Sequence, residues 1–207
     1  MDGFQKVNAM LVFLDTEFTA FVRPDLISIG LVAEDGREFY AERTDYYTTQ
    51  CSDFVRETVL PLLGRVPGAA CTRTELTDRV RDWFGQLPEP ATVVFDSEKD
   101  WLLLAVAMLG RPHSTPPGNF AKQMYLDSYA ITHPAFETAL NAVYTPEWPA
   151  HHALADARAL MAGYRAWCTH RGNPELPPPL IHEIVQSIED VKAGQLAPYK
   201  SGKSEPC

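Results

Sequence analysis

The stretch Met10-Leu11-Val12-Phe13-Leu14-Asp15-Thr16-Glu17-Phe18 constrains this chain more than any other. It forms the end of a longer strand signal, Val7 to Phe18. Its five consecutive apolar residues predict a strand buried on both faces, as in a sheet covered on each side. Two acids one residue apart end the run. Side chains alternate along a strand, so Asp15 and Glu17 share a face. Neighbouring carboxylates repel unless they are protonated or bridged by a cation. An all-oxygen cluster suits hard divalent ions such as Mg²⁺ or Mn²⁺. An isolated D-x-E is ordinarily the solvated start of a loop; the apolar run before this one puts it at the edge of a central strand.

The elements that follow support a layered fold. Leu26 to Ala33 reads as a second strand and Glu38 to Glu42 as a third, joined across an Asp35-Gly36 turn. Ser52 can cap a helix running toward Leu60, which Pro61 would end. Thr72 and Glu75 form a capping box for a helix over residues 73–86. Ala91 to Phe95 is a short buried strand, followed by an apolar helix from Trp101 to Leu109 that Ser97, Glu98 and Asp100 open. After a loop at 111–119, Gln123 to Leu126 fits a strand and Ser128 to Tyr144 holds helical turns. Ala150 to Trp167 is a long helix. Three meander strands followed by strand–helix alternation predict a mixed α/β sheet with helices on both faces.

The chain divides into a main domain and a C-terminal appendage. Gly172 to Pro179 is a proline-rich linker, Pro178-Pro179 can begin a last helix through Val191, and residues 194–207 read as a frayed tail. No apolar run reaches the ~18–20 residues of a membrane span. Met1 to Asn8 lacks the apolar core of a signal peptide. Cys51, Cys71, Cys168 and Cys207 show no CxxC spacing, which fits free thiols in a reducing cytoplasm. The formal charge of −9 argues against broad binding of phosphate backbones, although not against a local, cation-filled site.

Two more groups qualify for such a site. Asp100 lies at a turn from strand to helix, where ligands gather in open α/β sheets, with Asp96 and Glu98 as competitors. His151-His152-Ala153-Leu154-Ala155-Asp156 opens the last helix, and its alanines allow close packing. His152 and Asp156 are four apart and would share a helical face. His151 and Asp156 are five apart, so His151 can face Asp156 only from the loop before the helix; Trp148-Pro149 allows that lead-in. Arg158 reads as a partner in a surface ion pair, and Trp148 and Trp101 as packed residues. His113, His133, His170 and His182 have no partner at metal spacing and read as structural or exposed.

Taken together, Leu14-Asp15-Thr16-Glu17-Phe18, Asp100 at a helix start and His151-x-Ala153-x-x-Asp156 resemble the DEDDh family of 3′–5′ exonucleases, on the ribonuclease-H-like fold. Residues 26–40 look most like the small stand-alone exoribonucleases related to ribonuclease AS, more distantly ribonuclease T and oligoribonuclease. The resemblance covers roughly residues 8–168 and implies an exonuclease domain over 1–171, with 172–207 outside it. The chain departs from the pattern where Glu98 and Lys99 precede Asp100 in place of the family's usual residues.

The resemblance implies a two-metal hydrolysis. Asp15, Glu17, Asp100 and Asp156 would hold two Mg²⁺ or Mn²⁺ ions, and His151 would take the proton of the attacking water. It selects His151 over His152. It also implies main-chain contacts from Thr16 to Phe18 with the terminal ribose and a stacking role for Phe18, for which core packing is the alternative. The expected substrate is the 3′ end of single-stranded RNA or DNA, RNA preferred, with nucleoside 5′-monophosphates as products and a homodimer as the assembly. An exodeoxyribonuclease of the same fold, a non-catalytic nucleic-acid-binding module and a carboxylate-based phosphatase are the competing readings. Two divalent ions would add +4, taking the formal balance from −9 to −5, which favours short or single-stranded ends over long duplexes.

Overall fold

A computed structural model describes residues 9–110, 115 and 117–170; the linker, last helix and tail expected beyond 171, the start of the first strand signal before residue 9, and the core of the 111–119 loop lie outside them. Six strands form one mixed sheet in the order β4-β3-β2-β1-β5-β6. They are β1 (Met10–Phe18), β2 (Leu26–Ala33), β3 (Glu38–Arg43), β4 (Ala70–Cys71), β5 (Ala91–Phe95) and β6 (Phe120–Tyr125). The first three run antiparallel as a meander, while β5 runs parallel to β1 and β6 parallel to β5. β4 escapes sequence reading because two residues carry no periodicity; it joins β3 in parallel. The last strand begins at Phe120, three residues ahead of the expected start.

Helices cover both faces. On one side α1 (Arg73–Gly85) and α2 (Glu98–Leu109) pack Leu76, Val80, Phe84, Leu103 and Leu104 against Val12, Leu14, Ile29 and Val93. Thr72 caps α1 and Glu75 reaches back to the Thr72 N–H at 2.7 Å, the expected capping box. Ser97 caps α2, which starts three residues before Trp101. On the other side lies α5 (Ala153–His170), with Leu160, Tyr164 and Trp167 against Phe13 and Val94. Two shorter helices, α3 (Ser128–Ile131) and α4 (Pro134–Asn141), precede it.

Between β3 and β4 the expected helix is a set of irregular turns. Ser52 Oγ does accept the Val55 N–H at 3.3 Å. The chain then winds wide over Val55–Val59 and tight over Leu60–Leu62. Pro61 lacks an N–H and cannot continue a regular ladder. Val55 and Val59 are nevertheless buried with Ile27 and Cys51. Cys51, Cys71 and Cys168 are free thiols. Among the described residues no helix is long and apolar enough to cross a membrane.

Candidate active site

β1 builds the site by outrunning its neighbour. It pairs with β5 only from Met10 to Phe13, whereas its pairing with β2 continues to Phe18. Its last residues therefore project past β5 into a cleft of about 810 Å³. Asp15, Thr16, Glu17 and Phe18 line this cleft, joined by Asp96, Ser97 and Asp100 from the β5–α2 turn. Tyr144, Ala150, His151, Asp156 and Leu160 close it from the α5 side. Glu98 is exposed and outside the lining, so of the three acids around 96–100 the turn presents Asp96 and Asp100.

A glycine lets α5 reach the sheet. Gly30 on β2 is the register partner of Asp15. A Cβ on Gly30 would lie 2.3 Å from the Ala153 carbonyl oxygen and 2.6 Å from Leu154 Cα. The helix start thus rests on the bare backbone of β2, and Ala153, Ala155, Ala157 and Ala159 are fully buried. Asp156 follows one turn on, on the face that carries Asp15 and Glu17. The alanines were legible as a close-packing signal; Gly30, inside an ordinary apolar strand, was not.

The two adjacent histidines part company. His151 lies in the turn before α5 with φ +68°, the one non-glycine residue in the left-handed region among those described. For a residue with a Cβ this costs roughly 1–2 kcal/mol. Its N–H donates to Asp156 Oδ2 at 2.8 Å, and its exposed ring meets Phe54 edge-on. Ligand atoms of Glu17, His151 and Asp156 lie within 4.8 Å of one another, a group able to hold a metal ion. His152 points inward and is 2% exposed. Burial pushes its pKa down to about 4, so it stays neutral.

Electrostatics show what the cleft lacks. Burial, then repulsion from Asp100, Asp156, Glu17 and Asp96, pushes Asp15 well above the ordinary carboxylate range. Burial with Asp156 and Asp100 nearby raises Glu17 to about 8. Burial raises Asp100 to about 7 and also lifts Asp96 and Asp156. Some relief comes from neighbours. The Thr16 hydroxyl donates to Asp100 Oδ1 at 2.6 Å, and the Thr16 N–H also turns to this carboxylate. The Tyr144 hydroxyl and the His151 N–H serve Asp156. Yet Asp15 Oδ2 and Asp156 Oδ1 are buried without a hydrogen-bond partner among the described residues. Buried carboxylates without cationic partners are costly unless protonated or bound to a cation, so this donor set fits hard divalent ions.

The rim is aromatic. Phe18 packs partly into the core and meets Phe21 edge-on at 5.3 Å. Phe21 and Phe54 are 74% and 53% exposed while lining the cleft, and the Lys99 ammonium sits 5.1 Å from the Phe21 ring centre. Sequence reading missed Tyr144, Phe21 and Phe54: each stands in a loop or irregular turn, where periodicity gives no cue. Elsewhere Arg158 forms the expected ion pair, a two-bond contact with Glu38, and Trp101 is buried. His133 caps α4 through its ring and packs against His170; His113 and His182 lie outside the described residues.

Comparison with known proteins places this architecture. The fold is that of a DEDDh nuclease domain: the crystal structure of the nuclease domain of 3′hExo, a DEDDh family member bound to rAMP, superposes with a TM-score of 0.54. The match covers 83% of this chain and 96% of that one at 17% identity. In sequence, the chain is similar to 3′–5′ exoribonucleases of Mycobacterium tuberculosis strains CDC 1551 and H37Rv, 49% identical over 55 residues. That stretch is 26% of this chain and spans about a third of the length of each relative. The chain matches no protein-family model. The two likenesses converge on the DEDDh 3′–5′ exonucleases that the sequence motifs resemble.

Proposed function

We propose that this protein is a divalent-cation-dependent 3′–5′ exoribonuclease of the DEDDh type, acting on single-stranded 3′ ends and releasing nucleoside 5′-monophosphates. One observation carries the reading: carboxylates from β1, the β5–α2 turn and α5 are gathered in one cleft, two of their buried oxygens without a hydrogen-bond partner among the described residues. Asp15, Glu17, Asp100 and Asp156 would hold two Mg²⁺ or Mn²⁺ ions. When bound, the ions would supply charge neutralisation, a more acidic attacking water and stabilisation of the departing 3′ oxygen. His151 accepts the proton of that water; its exposed imidazole, with ligand atoms of Glu17 and Asp156 within 4.8 Å, stands at the place where the water would be activated. Thr16 orients Asp100, and Tyr144 orients Asp156. Phe18, Phe21 and Phe54 offer ring faces and edges to unpaired bases, which a duplex cannot present. The exoribonuclease relatives and the rAMP-bound neighbour favour RNA over DNA. We place the protein in the cytoplasm, which the free thiols of Cys51, Cys71 and Cys168 fit, and the family resemblance implies a homodimer, which sedimentation would test.

The test uses 5′-labelled single-stranded RNA and DNA of equal sequence, with Mg²⁺, Mn²⁺ or EDTA. The expected result is a ladder shortening from the 3′ end, faster on RNA, stopped by EDTA and absent in Asp15→Ala. Full activity in that variant, or cleavage unaffected by EDTA, would remove the reading. Faster shortening of DNA would move the assignment to an exodeoxyribonuclease.

A further inference from the structure

His152 is a buried histidine that the proposed chemistry does not use. Neither ring nitrogen has a hydrogen-bond partner among the described residues. Its ring is instead held by shape. It stacks on Tyr40 at 4.5 Å with the planes 24° apart, and Trp148 meets it edge-on at 5.0 Å.

Both flanking rings are anchored to β3. The Tyr40 hydroxyl donates to Glu42 Oε1 at 2.9 Å, and the Glu42 carboxylate also accepts the Gly64 N–H at 2.9 and 3.1 Å. Trp148 carries the Arg158 guanidinium 4.4 Å from its ring centre, and Arg158 is fixed by two bonds of 2.7 and 2.6 Å to Glu38. Glu38, Tyr40 and Glu42 alternate along β3 and so share one face. That face clamps the loop leading into α5 through the aromatic stack.

The clamp sits beside the strained residue. The His152 carbonyl accepts the Ala155 and Asp156 N–H groups at 2.7 and 3.0 Å, which starts α5. One residue earlier, His151 is held left-handed with its N–H on Asp156. A strained conformation persists only where its surroundings over-determine it. The N–H bond to Asp156 and the edge contact with Phe54 act on His151 itself, whereas a locked neighbour fixes the peptide from which the ring departs.

We infer that His152 is a positioning residue, whose stack between Tyr40 and Trp148 holds His151 left-handed and aims its imidazole at Glu17 and Asp156. This inference rests on the proposed nuclease reading for its kinetic consequence, but not for its structural one. His152 acts through ring shape, so its nitrogens are dispensable and its effect vanishes when His151 is absent.

The experiment compares His152→Ala and His152→Phe, each alone and combined with His151→Ala. Kinetics are measured on a single-stranded RNA oligonucleotide, and exchange of the residue-151 amide hydrogen is followed by NMR. His152→Ala should lower kcat about 10- to 100-fold with KM little changed, since small misplacements of a reacting group cost that much. His152→Phe should stay within a few-fold of wild type. In the His151→Ala background, His152→Ala should add nothing. The residue-151 amide should be protected in wild type and His152→Phe, and exposed in His152→Ala. Should His152→Ala not fold, His152→Leu, which keeps bulk without a stack, takes its place. Equal losses in the Phe and Ala variants, or an undiminished loss in the His151→Ala background, would overturn the inference. If the wild type cleaves no nucleic acid, the function reading fails and amide exchange alone decides the role of His152.

Discussion

The two faces of β1 meet their helices in opposite ways. Toward α1 and α2 the strand presents Met10, Val12, Leu14 and Phe18, and hydrocarbon fills the layer almost to its end. The polar pair that intrudes is bonded within itself: the Thr16 hydroxyl donates to the buried Asp100, which also lines the cleft. Toward α5 the strand presents Leu11 and Phe13, and then Asp15 and Glu17. There the filling stops, and two carboxylate oxygens are buried without hydrogen-bond partners among the described residues. Natural folds break their own packing rules mainly at functional sites. The contrast therefore marks the α5 face as the working one, on grounds independent of any relative.

Asp15→Asn is the largest test of that contrast. It should reduce nuclease activity to background. It should also stabilise the cation-free protein, because it removes a buried charge that its neighbours repel. The pH dependence has a defined sign. Glu17 is raised from 4.5 to about 8 and Asp100 from 3.8 to about 7. Between those values the folded chain binds more protons than the unfolded one, so stability falls as pH rises from about 4 to about 8. Cation-free thermal midpoints should drop across that window, by about 2–4 °C per kcal/mol for a chain of this size. Mn²⁺ should restore them most at pH 8, and Asp15→Asn should flatten the slope. Midpoints that climb from pH 5 to pH 8 without cation would contradict the unneutralised cleft.

Gly30→Ala attacks the same face through packing. The added methyl meets helix backbone, which cannot swing aside as a side chain would. A stability loss of about 1–3 kcal/mol is expected, the usual range for overpacking. Activity should fall with it, because α5 carries Asp156 and must lift off the sheet beside Asp15. Denaturant unfolding and the oligonucleotide assay check both. An unchanged midpoint would mean that α5 does not rest on β2 as described.

These two sites show what was legible in the sequence. Asp15 and Glu17 were readable because strand period fixes their common face from the chain alone. The capping box at Thr72 and Glu75 and the bounds of β2 and β5 were local signals of the same kind. The convergence of the cleft was not local. Asp100 reaches Thr16 across 84 positions, and Gly30 matters only because a helix 123 residues later lies on it. His151 could be separated from His152 by the resemblance, but its left-handed turn and the stack beside it depend on β3. Tyr144, Phe21 and Phe54 belong to segments whose course is set by what they pack on.

The smallest expected effect tests the face of β1 toward α2. Thr16 was expected to meet the substrate ribose through its main chain, and its hydroxyl donates to Asp100. If its part is to hold Asp100, Thr16→Val should cost about 10-fold in kcat or in Mn²⁺ affinity, the low end for residues that orient a ligand. Thr16→Ser keeps the hydroxyl and should stay near wild type. KM should barely move in either variant. A ribose-contacting Thr16 makes a different forecast: the main chain survives both substitutions, so neither should change kcat, and RNA and DNA should be discriminated as before. Equal activity of Thr16→Val and wild type would thus return Thr16 to the substrate. A selective loss in Thr16→Val would leave the α2 face of β1 as support for the chemistry on the other.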